Sequence, residues 1–145
     1  MKLSTRTRFG LRIMLQIAEE GHRGPVFARR IADTQGISQA YVDQILLPLR
    51  TGGLLKSVRG RRGGYLLGRD ASKITVLDVL ETLEGPLNLV ECIGDARACD
   101  RSKSCATRQV WADTSTALRE TLADVDLAQL KTNHQTLLAG ADFVI

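Results

Sequence analysis

Aromatic residues are scarce in this chain: Phe, Trp and Tyr together make up 4% of its 145 residues. Any core must therefore be built from aliphatic side chains. No apolar run approaches the roughly 18 residues that a membrane span needs. The opening stretch, MKLSTRTRFGLR, has no apolar h-region and no small-residue cleavage site, so a cytoplasmic protein is expected. Internal repeats and low-complexity tracts are absent, and no glycine-rich nucleotide-binding motif follows a strand. There are only two histidines, His22 and His134, and both read as surface residues. With no polar constellation of substrate size, these shortages argue against an enzyme.

What is present is ordinary in amount and uneven in placement. Hydrophobic residues make up 43% and charged residues 25%, so wholesale disorder is not expected. Residues 1–70 carry 13 Lys and Arg against 5 Asp and Glu, a net charge of +8. Residues 71–145 carry 7 against 11, a net charge of −4. A basic front half on an acidic back half suggests that one part meets a polyanion and the other does something else.

The elements read in order as follows. Residues 8–20 place Phe9, Ile13, Leu15, Ile17 and Ala18 on one face of an amphipathic helix, closed by Gly21 and Gly24. Val26 and Phe27 are at most a minor strand. Residues 28–35 form a short helix ended by Gly36, and Ser38 N-caps a third helix whose buried stripe is Val42, Ile45, Leu46 and Leu49. A short helix, a tight turn and a capped second helix are a helix-turn-helix pattern. Pro48 falls inside the third helix and removes the bond its N–H would give to the Gln44 carbonyl, so either a kink or an early end is expected there.

Residues 54–58 alternate like a strand, 59–64 (RGRRGG) are a turn, and 65–67 return as a second strand. A hairpin with arginines at its tip, directly after a helix-turn-helix, reads as a DNA-binding wing. Residues 75–84 form a helix with Val76, Leu77, Val79, Leu80 and Leu83 inward, stopped by Gly85 and Pro86. Residues 87–104 are a loop. From 105 a long helix places Trp111, Leu118 and Val125 seven apart, with Ala117 and Leu122 adding to the stripe, a seam suited to dimerisation. The fold expected is mainly α with a small β-hairpin wing. It divides into a winged helix-turn-helix domain (1–84), a cysteine loop (85–104), a dimerisation helix with a short following helix (105–132) and an unassigned tail (133–145).

On the third helix Ser38, Gln39, Tyr41, Asp43 and Gln44 are left for the major groove. Gln44 suits a bidentate contact to adenine, Asp43 can accept from cytosine N4, and Tyr41 suits phosphate. On the wing, Arg61 and Arg62 suit phosphates. Lys2, Arg6, Arg50 and Lys56 are further phosphate candidates.

Cys92, Cys99 and Cys105 lie within one segment with the spacing C-x6-C-x5-C. The odd count argues against a disulfide framework, and the spacing does not suit a structural zinc knuckle. An iron–sulfur cluster and reactive thiols both remain open on spacing alone.

The opening MKLSTRTRFGLR, the helix QGISQAYVDQIL, the wing SVRGRRGGYLLGRD and the three cysteines together resemble the IscR/NsrR/RirA family of bacterial transcriptional regulators. The likeness runs to about residue 132 and is greatest to the iron–sulfur cluster regulator branch. It implies a homodimer with crossing long helices and two winged helices on a partly palindromic double-stranded operator; the residues themselves identify no small-molecule substrate. It also implies an iron–sulfur cluster, 2Fe-2S or 4Fe-4S, on Cys92, Cys99 and Cys105 that sets DNA affinity. Trp111, Leu118, Leu122 and Val125 would then line the dimer interface, and Arg59 would enter the minor groove. Family members often carry Glu where Asp43 stands, and can carry Pro and Gly where Arg61 and Arg62 stand.

The fourth ligand departs from the family pattern. The iron–sulfur branch has a His three residues after the last Cys, where this chain has Arg108. The nitric-oxide-sensing branch can use an acid on the first helix, where this chain has Arg8. A guanidinium will not ligate iron. A labile site, a nearby acid (Glu91, Asp95, Asp100 or Asp113) or loss of the cluster in favour of reacting thiols remain open. The alternatives to a cluster sensor are a cofactor-free regulator sensing through thiols or a partner protein, a non-specific nucleic-acid module, and a small iron–sulfur redox protein.

Overall fold

The structure is a computed structural model and describes residues 3–141. Helix α1 spans Thr5–Glu20, three residues longer than the periodicity indicates, because Ser4 caps it by accepting from the Thr7 N–H at 3.1 Å. Its buried face is Ile13, Met14 and Ile17, with Leu15 only half-buried. Helix α2 (Ala28–Gln35) ends at Gly36, whose φ of 66° is the left-handed turn that brings Ser38 to cap α3 (Gln39–Thr51). Val42, Ile45, Leu46 and Leu49 are fully buried, as the stripe indicates. Helix α3 runs through Pro48 without interruption, so the early end expected there does not occur.

Strands β1 (Leu55–Val58) and β2 (Gly64–Leu67) pair antiparallel, from Leu55 opposite Leu67 to Val58 opposite Gly64. Only Leu55 of β1 is buried, so the alternation read in the sequence is not realised. Both backbone groups of Val26 bond to Tyr65 at 2.9 Å, which seats the hairpin against the rest of the domain. Helix α4 (Val76–Glu84) opens with a capping box in which Thr75 and Asp78 satisfy each other's backbone N–H groups. The main core joins α1 to α4 with Leu54, Leu55 and Leu127.

Beyond α4 the chain departs further from its sequence pattern. The cysteine loop contains a four-residue helix, α5 (Glu91–Gly94), and a 3-10 turn at Ala96–Ala98. The long helix α6 covers Ala106–Ala123 and stops before Val125. The Val76 N–H donates to the Val125 carbonyl at 2.8 Å and the Leu127 N–H to the Ile74 carbonyl at 3.0 Å, which pulls this turn out of the helix. Of the residues read as tail, 133–141 belong instead to α7 (Leu127–Ala141), packed on α1, and 142–145 lie outside the described residues. His134 is not a free surface residue: its Nδ1 lies 2.5 Å from Glu19 Oε1.

Candidate nucleic-acid interface and cysteine loop

The outer face of α3 exposes Ser38, Gln39, Asp43 and Gln44. Tyr41 is half-buried, its ring edge-on to Phe9 at 6.1 Å between centroids. At the wing tip Arg59, Arg61 and Arg62 are all exposed, and the turn closes through Gly63 N–H to the Gly60 carbonyl at 2.9 Å. Among the described residues none of the three forms a salt bridge, so their charge is available to a polyanion. Arg6, Arg50 and Lys56 are exposed too, whereas Lys2 lies outside the described residues.

The first part of the cysteine loop is tied to both α4 and α6. Leu87 N–H donates to Glu81 Oε1 of α4 at 3.3 Å, and Leu89 N–H donates to the buried Ser115 hydroxyl of α6 at 3.0 Å. Arg108 Nε donates to the Cys92 carbonyl at 3.1 Å. Arg119 of α6 pairs with Glu81. Sequence reasoning missed these ties because each joins residues at least 6 and up to 38 positions apart.

All three cysteines are free: Cys92 and Cys105 are half-buried and Cys99 is exposed. The Cys105 thiol is held below its usual range by the Thr107 hydroxyl, 3.1 Å away, helped by the backbone N–H of Arg108 and the charge of Arg101. As donor chemistry, three soft thiols suit an iron–sulfur cluster. Among the described residues, no three His, Cys, Asp or Glu side chains already stand together as a metal-holding group. Of the acids near the loop, Asp95 pairs with Arg97 and Asp113 accepts from Gln109, while Glu91 and Asp100 are exposed.

The heptad seam is not a single face. Val125 lies beyond α6, and both Leu122 and Val125 pack against Val76, Leu80 and Leu87 of their own chain. Trp111 is 42% exposed beside Val110 at 56%, so an apolar surface does remain on the outer side of α6. Among the described residues, no helix is long and apolar enough to cross a membrane.

A winged helix-turn-helix of this form has counterparts among known proteins. A family model described as Rrf2, iron-dependent transcriptional regulator, matches residues 3–133. The chain belongs to the Rrf2 family. It is similar to the HTH-type transcriptional regulator CymR of Bacillus subtilis, 38% identical over 130 residues, covering 90% of this chain and 89% of that protein. The solved structure of that CymR, described as the global cysteine regulator of its organism, matches with a TM-score of 0.76 at 37% identity, covering 92% of this chain and 98% of that one. IscR of Xenorhabdus nematophila is 36% identical over 137 residues, covering 94% of this chain and 83% of that protein. The structure of T. potens IscR matches with a TM-score of 0.76 at 33% identity, covering 92% of this chain and 88% of that one. As an Rrf2 protein this chain is a DNA-binding transcriptional regulator and not an enzyme.

Proposed function

We propose that this Rrf2 regulator works in the cytoplasm as a homodimer whose operator affinity is set by an iron–sulfur cluster held on the thiols of Cys92, Cys99 and Cys105. The observation that carries the reading is the placement of those thiols. They sit on the segment that runs from α4, which packs on the winged helix, into α6, which presents Trp111 and Val110 outward, and the start of that segment is bonded to both helices through Glu81 and Ser115. The IscR relatives add support.

A cluster bound there supplies a redox-active centre open to iron supply, oxygen or nitric oxide. The chain's own residues do the rest. Closing the loop from Cys92 to Cys105 orders it, and the ties to Glu81 and Ser115 pass that order to the junction of α4 and α6. In a dimer joined through α6, that junction sets the separation of two recognition helices whose half-sites lie about 34 Å apart, or multiples of it. Ser38, Gln39, Tyr41, Asp43 and Gln44 then face the major groove, Arg59 the minor groove, and Arg61 and Arg62 the phosphates.

A second reading is favoured by the depressed Cys105 thiol and by the likeness to CymR. In it the cysteines react directly and no cluster forms. Anaerobic purification, with iron and sulfide counts per chain and operator affinity at fixed salt, separates the two. Matched iron and sulfide, lost together with the affinity difference in Cys92→Ala, supports the cluster. Iron-free protein after reconstitution, with affinity that follows thiol oxidation, supports direct reaction. Equal operator affinity in every state removes both sensing schemes.

A further inference from the structure

Pro48 has no N–H, so the carbonyl of Gln44, one turn earlier on α3, has no backbone donor from its own helix. Such a carbonyl needs another partner or water. Arg6, on the first turn of α1, supplies one: its Nη2 donates to the Gln44 carbonyl oxygen at 3.5 Å. The two residues meet in a groove lined by Arg6, Gln44, Leu47, Pro48 and Thr51.

The turn of α1 that carries Arg6 is itself fixed. The Ser4 and Thr7 hydroxyls both donate to Glu84, the last residue of α4. Arg6 is exposed and, among the described residues, forms no salt bridge. Among the described residues, the one hydrogen bond of its side chain runs to the carbonyl that Pro48 leaves without a helix donor.

We infer that Arg6 is a positioning residue for operator recognition, its guanidinium replacing the backbone donor that Pro48 removes and so fixing α3 at Gln44. The inference rests on α3 as the reading helix. It differs from a phosphate contact in one respect: a residue that repairs the Pro48 break loses its purpose when the break is repaired.

The test is a double-mutant cycle on Arg6→Ala and Pro48→Ala. Affinities are measured across a salt series on an operator duplex defined by footprinting and on a scrambled duplex of the same length. Melting temperatures confirm folding. Arg6→Ala should weaken operator binding about tenfold and leave the scrambled duplex nearly unchanged. In the Pro48→Ala background, where residue 48 again donates to Gln44, the same substitution should cost about twofold or less. Arg6→Lys, which keeps a donor, should recover most of the loss, and Arg6→Gln serves in the same cycle if Arg6→Ala does not fold. Equal losses in both backgrounds and on both duplexes, with a salt slope smaller by about one, would make Arg6 a phosphate contact and overturn the inference. So would the absence of any loss. If the native protein does not distinguish the operator from the scrambled duplex, the α3 reading falls first and this inference with it.

Discussion

Arg119 of α6 and Glu81 of α4 form a part-buried ion pair where the long helix meets the winged domain. Glu81 has a second duty, because its Oε1 also accepts from the Leu87 N–H at the start of the cysteine loop. One carboxylate thus holds α4, α6 and the loop together. In the proposed reading, a change in the loop reaches the winged helix through this junction.

This dual role makes the two partners unequal. Arg119→Met removes the ion pair, an interaction worth about 1 kcal/mol or less where solvent still reaches it. Glu81→Ala also strands the Leu87 N–H and should cost about 1 kcal/mol more. Urea denaturation of the two single variants and the double variant reads both costs. Equal losses in the single variants would show that the Leu87 bond contributes nothing.

The wing should divide its labour. Arg59 stands at the start of the tip beside Val58, while Arg61 and Arg62 stand across the Gly60–Gly63 turn, all exposed. For Arg59→Ala the expected loss is concentrated at the central, minor-groove-facing bases of the operator. For Arg61→Ala the expected outcome is uniform weakening across sequences, with a salt slope smaller by about one. Binding to a panel of operator variants over a salt series checks both. Indistinguishable profiles would mean that the tip acts only as a patch of charge.

The hairpin is seated on a fixed base because Gly64 lets β2 approach Val26. Its φ is 137°, and a Cβ there would lie 2.6 Å from the Val26 carbonyl oxygen. Gly64→Ala should therefore lower stability by about 1–3 kcal/mol through backbone strain alone, and it should weaken operator binding beyond that by loosening the Val26–Tyr65 bridge. Denaturant midpoints and operator affinity measured on the same preparation test this. An unchanged midpoint would mean that the hairpin shifts to accommodate the methyl group.

The winged-helix half was legible in the sequence because its signals are local. Gly36 and Ser38 mark the turn and the cap, and Gly60, Gly63 and Gly64 mark the wing, each within a few residues of what it shapes. The acidic half was less legible because long-range bonds decide it. The spacing of Trp111, Leu118 and Val125 reads as a helical seam, yet Val125 is drawn off by Val76 and is partly buried against its own chain. Helix α5 has four residues, too few for any periodicity. Helix α7 has a weak apolar pattern and is held by packing on α1, with His134 against Glu19 across 115 residues. Pro48 announces an orphaned carbonyl in the sequence, but nothing local names Arg6 as its partner.

Acid should release the start of α1. The Ser4 and Thr7 hydroxyls donate to Glu84, and these bonds, aided by the charge of Arg6, hold the Glu84 carboxyl below its usual range. A carboxyl with a depressed folded value binds protons more weakly folded than unfolded. Its contribution to stability is therefore complete above the unfolded value, about 4.3 for Glu, and is lost as pH falls through the folded value. Glu84→Gln removes that dependence. The variant should be less stable than the native protein at neutral pH, and the gap should narrow as pH falls below about 4. Urea midpoints across that range, with an NMR titration of Glu84 in Ser4→Ala, check the sign. The titration should move upward when the Ser4 hydroxyl is removed, and a downward or null shift would assign the depression to Arg6 and Thr7 instead.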